Sequence, residues 1–246
     1  MERSRPSWRY CTQFPNFEKD YTPNGTLREP IEYFKDFFTD EVWTLFVNQS
    51  NLYSTQKNVN KPLDMNKAEM EQWLDLCIYF SVSKLPSCRM HWSTTMGIYR
   101  DFVTDIMSRD RFMEIKGNLH LVDNEGNDNP IGEKLFKVKP LIAHLRNKFQ
   151  SIPMDQELCI DEQMVPFKGA SGIKQYIPSK PNKWGYKIFV LADKAGMIHD
   201  FIPYTGKIDE KTFAVLVWAD LISQIHLVVI EVKVICLLTY IYNRLV

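Results

Sequence analysis

The hydrophobic spacing of the chain changes close to Pro153, and this change limits the folds that the sequence can adopt. Before it, apolar residues recur at helical intervals, most regularly as the stripe Val138, Leu141, Ile142, Leu145 and Phe149. After it come three short strand-like runs, LCIDEQMVPFKG, WGYKIFVLAD and MIHDFIPYTG. Helices followed by strands predict the α+β class.

Two long helices are expected near the start. Residues 30–56 have a helical pattern, and Thr39 is a suitable cap within it. Asn66, with Glu69 three residues later, resembles a capping box that begins a helix over residues 67–85. Pro86 should end that helix, because proline cannot continue the helical hydrogen bonds.

Shorter helices are expected over residues 96–107, 109–120 and 138–150. The turn-rich residues 122–133 form the clearest boundary. In the second part, residues 193–196 (DKAG) fit a hairpin turn with glycine in a left-handed conformation, so the three strands should form an antiparallel meander. Residues 209–222 return to a helical pattern.

Charge is balanced overall but not along the chain. The net charge is zero, yet residues 134–187 carry ten Lys and Arg against four Asp and Glu. This basic middle indicates either a surface that faces phosphates or an ordinary solvated face.

The cysteines and the apolar end of the chain exclude some classes. The five cysteines are scattered, without a C-x-x-C pair, so neither a zinc finger nor a disulfide framework is expected. Residues 221–241 are rich in Leu, Ile and Val, but Glu231 and Lys233 near their centre oppose insertion into a bilayer. We expect a β-prone tail and no membrane partner.

Asp161 and Glu162 interrupt the first strand-like run and point to opposite faces of a strand. A carboxylate in the middle of the first strand of such a meander could bind a divalent cation, because Mg²⁺ prefers oxygen ligands. One carboxylate cannot hold two such ions, so partners from later elements would be needed. A strand aspartate could equally be an exposed edge residue or the partner of a nearby lysine.

A segment rich in lysine and aromatic residues follows. The lysines are Lys168, Lys174, Lys180, Lys183 and Lys187, and they interleave with Tyr176, Trp184 and Tyr186. This arrangement suits phosphate contact and base stacking, and we take the five lysines and Trp184 as candidate DNA-binding residues. Solvated lysines over packed aromatic rings would give the same pattern.

Several long motifs, in order, resemble the piggyBac family of transposases and their domesticated relatives. They are LCIDEQMVPFKG, KQYIPSKPNKWGYKIFVLAD and DFIPYTGK, preceded by PIEYFKDFFTDEVW, MSRDRFMEIKGNLHLVDN and LFKVKPLIAHLRNKF. The resemblance extends from about residue 29 to residue 208.

This resemblance implies a helical dimerisation and DNA-binding region followed by an RNase H-like core. In such enzymes a DDD triad binds two divalent ions, Mg²⁺ or Mn²⁺, and DNA is cut and rejoined at TTAA sites through hairpin intermediates. Asp161 matches the first triad aspartate and would be its metal ligand. The family also implies homodimers, or heterodimers with related proteins, and a nuclear location, with the cytoplasm as the alternative.

After Lys211 the resemblance stops, and the second and third triad aspartates have no match. We therefore expect a C-terminally truncated product with an incomplete core and an incomplete metal site. The regions expected are an irregular arm (1–29), the helical region (30–133), a partial RNase H-like core (134–212) and a divergent apolar tail (213–246).

Three functions are compatible with these features. The first is a catalytically inactive piggyBac-derived protein that retains DNA binding or dimerisation. The second is a metal-dependent nuclease completed by carboxylates of its own tail or of a partner chain. The third is a protein-interaction module that uses the helical region as a partner surface, or a modulator that pairs with full-length transposases.

Overall fold

The computed structural model describes residues 28–95, 101–125 and 133–206, and these residues are helical as far as Gln150. The α-helices are α1 (Pro30–Phe37), α2 (Asp40–Lys57), α3 (Lys67–Val82), α4 (Asp101–Ile106), α5 (Arg109–Asn118) and α6 (Lys139–Gln150). Short 3-10 helices cover Cys88–Trp92 and Phe136–Val138.

The helical segment predicted over residues 30–56 is divided into α1 and α2. Thr39 is the N-cap residue of α2, as predicted. The helix breaks because Phe38 turns inward, where its ring stacks on Phe34 at 4.6 Å and lies 5.6 Å from the ring of Trp43. Burial of this ring decides the local geometry.

The start of α3 is also as predicted, and its end is three residues earlier. Asn66 accepts a hydrogen bond of 2.9 Å from the backbone N–H of Glu69. The helix ends at Val82 and not at residue 85, because Pro86 disfavours helical geometry in the residue before it and loosens the final turn.

The remaining sequence predictions agree with the described residues to within a few positions. Of the helices predicted over 96–107 and 109–120, the structure contains α4 and α5, and residues 96–100 lie outside the description. The predicted boundary at 122–133 falls largely outside it, as do the predicted helix at 209–222 and the tail. The division into four regions stays a prediction.

Helix α6 joins the helical part to the sheet. Leu141, Leu145 and Phe149 of the predicted stripe are buried. The ring of Phe149 contacts Phe37 of α1 at 4.8 Å on one side and Phe201 of the sheet at 5.8 Å on the other. The helices and the sheet therefore share one apolar core.

The strands are β1 (Leu158–Pro166), β2 (Gln175–Tyr176), β3 (Trp184–Asp193) and β4 (Ile198–Pro203). The predicted meander is confirmed, because β1 pairs with β3 and β3 with β4, both antiparallel. The predicted turn is also confirmed: Gly196 has φ of 83°, and its N–H donates to the carbonyl of Asp193 at 2.9 Å.

Strand β2 was not predicted. It pairs with the first two residues of β3, on the side away from β1. Two residues are too few to give a periodic pattern, so the pairing could not be anticipated. Among the described helices, none is both long and apolar enough to cross a membrane.

Candidate nucleic-acid interface

Asp161 lies in the middle of β1, opposite Val190 of β3. Its side chain is 42% exposed, although Val165 on the same face of the strand is buried. Alternation along the strand places the adjacent Glu162 on the other face, as the sequence predicts. Asp161 therefore stands at the margin of the core and remains accessible to solvent.

The outer edge of β1 is open within the described residues. The N–H of Phe167 donates to the carbonyl of Trp184 at 3.2 Å. This bond shows which residues of β1 direct their backbone groups toward β3, because such residues alternate along an antiparallel strand. Odd-numbered residues of β1 bond to β3, so Ile160, Glu162 and Met164 turn their backbone N–H and C=O groups outward. No strand among the described residues pairs with them.

Glu162 and Lys187 form a cross-strand ion pair of 2.9 Å. The Lys187 ammonium also lies 4.5 Å from the centre of the Phe189 ring and 5.8 Å from that of Tyr204. Its hydrogen bond lowers the pKa of Glu162, and the nearby charge of Lys180 lowers that pKa further. Lys187, one of the candidate DNA-binding lysines, is thus held by groups of the sheet.

Lys180 lies beside Asp161. Its ammonium is 3.7 Å from a carboxylate oxygen of Asp161. Lys180 belongs to the loop between β2 and β3, whose backbone is closed by hydrogen bonds from Ile177 N–H to the Lys183 carbonyl (2.8 Å) and from Lys180 N–H to the Ile177 carbonyl (3.3 Å). We call residues 174–185 the basic hairpin. It brings a cation to the residue that was predicted as a metal ligand.

Two aromatic side chains stand exposed where the arms of the basic hairpin begin. Tyr176 is 49% and Trp184 is 53% exposed, and their ring centres are 4.7 Å apart. The Lys174 ammonium lies 5.0 Å from the Trp184 ring and donates to the carbonyl of Gly169 at 2.8 Å. An ammonium has further donors, so Lys174 can contact an anion while it keeps these partners.

Gly185 allows β1 and β3 to approach closely beside Trp184. A side-chain carbon at this position would come within 2.1 Å of the Val165 carbonyl oxygen. Only a residue without Cβ lets β1 approach β3 so closely next to Trp184. The backbone contact therefore fixes the place at which Trp184 leaves the sheet.

The remaining side chains of the lysine- and aromatic-rich segment lie apart from the contacts described above. Lys168 and Lys183 are exposed. Tyr186 is buried and stacks on Phe167 at 4.8 Å, so the expectation that it takes part in base stacking is wrong. The alternative that the strand aspartate is the partner of a nearby lysine is confirmed for Asp161. The sequence did not show which lysines pair with Asp161 and Glu162, because these contacts depend on strand register and on the course of a loop.

The described residues do not fit a two-ion site by themselves. Two divalent ions require several oxygen ligands held close together. No group of three or more His, Cys, Asp or Glu side chains in the described ranges could hold a metal ion. Asp161 faces a lysine, and Glu162 on the opposite face is paired with another.

Comparison with known proteins shows consistent similarities. The sequence profile of a family described as Transposase IS4 matches residues 29–217. PiggyBac transposable element-derived protein 3 of Homo sapiens is 36% identical over 182 residues, and PiggyBac transposable element-derived protein 2 of Homo sapiens is 32% identical over 183 residues. Each alignment covers 74% of this chain and 30% of the human protein.

The fold agrees with these similarities. A cryo-EM structure of a piggyBac transposase synaptic complex with hairpin DNA has a TM-score of 0.61 to this chain at 25% identity. The match covers 74% of this chain and 39% of the transposase chain. The chain thus spans less than half the length of these proteins, and its helices and antiparallel sheet resemble the fold of the solved transposase.

Proposed function

Because the chain belongs to the piggyBac family of transposases and transposase-derived proteins, we propose that its 246 residues form a DNA-contacting relative of these enzymes that does not cut DNA by itself. The single observation that carries the proposal is the pair of exposed rings of Tyr176 and Trp184 on the basic hairpin, with the half-buried Lys174 beside them.

The chemistry of this group suits nucleic acid. Exposed aromatic rings can stack on bases, and ammonium groups nearby can neutralise phosphates. Lys168 and Lys183 add exposed positive charge in the same stretch of chain. The match to a transposase whose structure was solved as a synaptic complex with hairpin DNA makes DNA the favoured ligand. A chain that contacts chromosomal DNA would work in the nucleus.

The catalytic part of the proposal rests on Asp161. The family is one of divalent-metal-dependent transposases, and Asp161 is the one residue that we match to its triad. In the described residues its close ionic neighbour is the ammonium of Lys180 and not a second carboxylate. We infer that the sheet is the beginning of an RNase H-like core that lacks a complete set of ligands in this chain.

Salt-dependent DNA binding tests the first part of this proposal. We expect the anisotropy of a labelled duplex to rise on titration with the full chain, with an affinity that falls linearly in log salt concentration. Trp184→Ala should weaken binding several-fold. Tyr33→Ala is the matched control, because Tyr33 is also exposed (47%) and also lies beside a cation, Arg28. Absence of binding at low salt by the folded chain would refute DNA contact.

A nicking assay tests the second part. Supercoiled plasmid incubated with the chain and Mg²⁺ or Mn²⁺ should remain uncut. Cleavage that depends on the metal and disappears in Asp161→Ala would show instead that carboxylates elsewhere complete the site.

The open edge of β1 supports a second candidate function, modulation of full-length transposases by protein contact. Exposed N–H and C=O groups on an edge strand can pair with a strand of another chain. The tagged chain should then retain a full-length relative on purification. A strictly monomeric chain that retains no relative would exclude this function.

A further inference from the structure

We propose that Asp161 anchors the tip of the basic hairpin through Lys180 and thereby keeps that ammonium away from DNA phosphates. This inference rests on the proposed function for its DNA consequence, while the anchor itself is a property of the fold. Asp161 matches a catalytic aspartate of the family, and we assign it a positioning role in this chain.

The contact joins β1 to the loop that follows β2, and these two strands do not pair with each other. Lys180 lies at the tip of the basic hairpin, and Asp161 lies in the middle of β1. The hydrogen bonds of Ile177 and Lys180 make the loop a compact unit. A restraint on the tip is therefore passed to both arms, from which Tyr176 and Trp184 project.

The neighbouring charges show which carboxylate is the ionic partner of Lys180. Glu162 already has an ammonium at 2.9 Å, that of Lys187. Lys180 approaches Asp161 at 3.7 Å and acts on Glu162 only through its charge. Asp161 is thus the residue whose removal should release Lys180.

The structure also explains why the restraint is weak enough to be reversible. Both side chains of the pair are partly exposed, and ion pairs of this kind contribute little to stability. Phosphates of a DNA backbone offer the ammonium a competing partner of the same charge as the carboxylate. Once Asp161 no longer holds it, the Lys180 ammonium should therefore contact a phosphate instead.

The test compares two neutral substitutions on adjacent residues of β1. Asp161→Asn and Glu162→Gln remove the same charge with little change of shape, but only the first removes the partner of Lys180. Hydrogen exchange of the Ile177 and Lys180 amides should become about 2- to 5-fold faster in Asp161→Asn. It should stay close to the original rate in Glu162→Gln.

DNA binding supplies a second measurement. Releasing one ammonium should steepen the log–log salt dependence of duplex binding by about 0.9 in Asp161→Asn. The double variant Asp161→Asn with Lys180→Met should lose this gain, because the released cation is no longer present.

The outcomes separate the anchor from the proposed function. Unchanged amide exchange in Asp161→Asn, or equal acceleration in Glu162→Gln, would overturn the anchor. Faster exchange without DNA binding by any variant would support the anchor and refute the proposed DNA contact. If the double variant Asp161→Asn with Lys180→Met keeps the steeper salt dependence, the added charge does not come from Lys180. That result would overturn the claim that Asp161 restrains this ammonium.

Discussion

Arg146 and Asp200 join α6 to β4 through two parallel hydrogen bonds. The Nε and Nη2 groups of Arg146 each donate to one carboxylate oxygen of Asp200 at 2.7 Å. Gln150 donates to the same carboxylate at 3.0 Å. The planar guanidinium thus fixes the helix against the last described strand, next to the contact between Phe149 and Phe201.

Loss of this carboxylate should destabilise the protein. We expect Asp200→Asn to lower the free energy of unfolding by about 1 to 2 kcal/mol, because the pair is two-pronged and the Asp200 side chain is only 18% exposed. Asp36→Asn is the control, since Asp36 accepts a similar pair of bonds from Arg28 but is 52% exposed. Its effect should stay below about 0.5 kcal/mol in urea unfolding, and equal losses would contradict the account.

Arg111 should make stability depend on pH in the acid range. It donates to both carboxylate oxygens of Glu69 at 2.9 Å and to Glu114 at 3.0 Å, and these bonds lower the pKa of each glutamate. Carboxylates with a lowered pKa in the folded state add stability that is complete above their unfolded pKa of about 4.3. That stability is lost as the pH falls through the lowered pKa.

The measurement is urea unfolding at several pH values between about 6 and 3. At about pH 6, Arg111→Met should lower the free energy of unfolding by about 1 to 2 kcal/mol. It should also make this free energy fall less steeply as the pH is lowered. Arg109→Met removes a neighbouring arginine whose contact with Asp110 is exposed. It should leave the decline unchanged, and a decline that is equally steep in Arg111→Met would be the contrary result.

Gly185 should be intolerant of any side chain. The Cβ of Gly185→Ala would lie 2.1 Å from the Val165 carbonyl oxygen, so β1 and β3 would have to separate. We expect a loss of about 3 kcal/mol in thermal or urea unfolding. Gly172→Ala is the control, because a Cβ there meets no atom within 4 Å, and it should change stability by less than about 0.5 kcal/mol. Similar effects of both substitutions would contradict the close approach.

The local features of the fold were predictable from the sequence, because each depends on a short pattern of neighbouring residues. The stripe of α6, the cap at Thr39 and the glycine turn at Gly196 each depend on residues a few positions apart. The break before α2 is harder to foresee, since it follows from the burial of Phe38 among rings that only the tertiary structure assembles.

The candidate interface was predictable in composition but not in arrangement. Residue types indicated Lys174 and Trp184 as candidate DNA-binding residues, and the structure places them together. The same reasoning grouped Tyr186 with the rings that suit base stacking, although it lies in the core. Strand alternation gives the two faces of β1 but not the course of the loop between β2 and β3. The sequence therefore allowed a lysine partner for Asp161 without indicating that this lysine is Lys180.

The central claim, that the basic hairpin contacts DNA, is tested most directly by comparing two lysines that both lie beside aromatic rings. The ammonium of Lys174 is 5.0 Å from the Trp184 ring, and that of Lys57 is 5.9 Å from the Tyr53 ring in the helical part. The measurement is the salt dependence of duplex binding for Lys174→Gln and Lys57→Gln. We predict that Lys174→Gln reduces the log–log slope by about 0.9 and that Lys57→Gln leaves it unchanged. Equal slopes in both variants and the original chain would contradict the claim that this hairpin faces DNA.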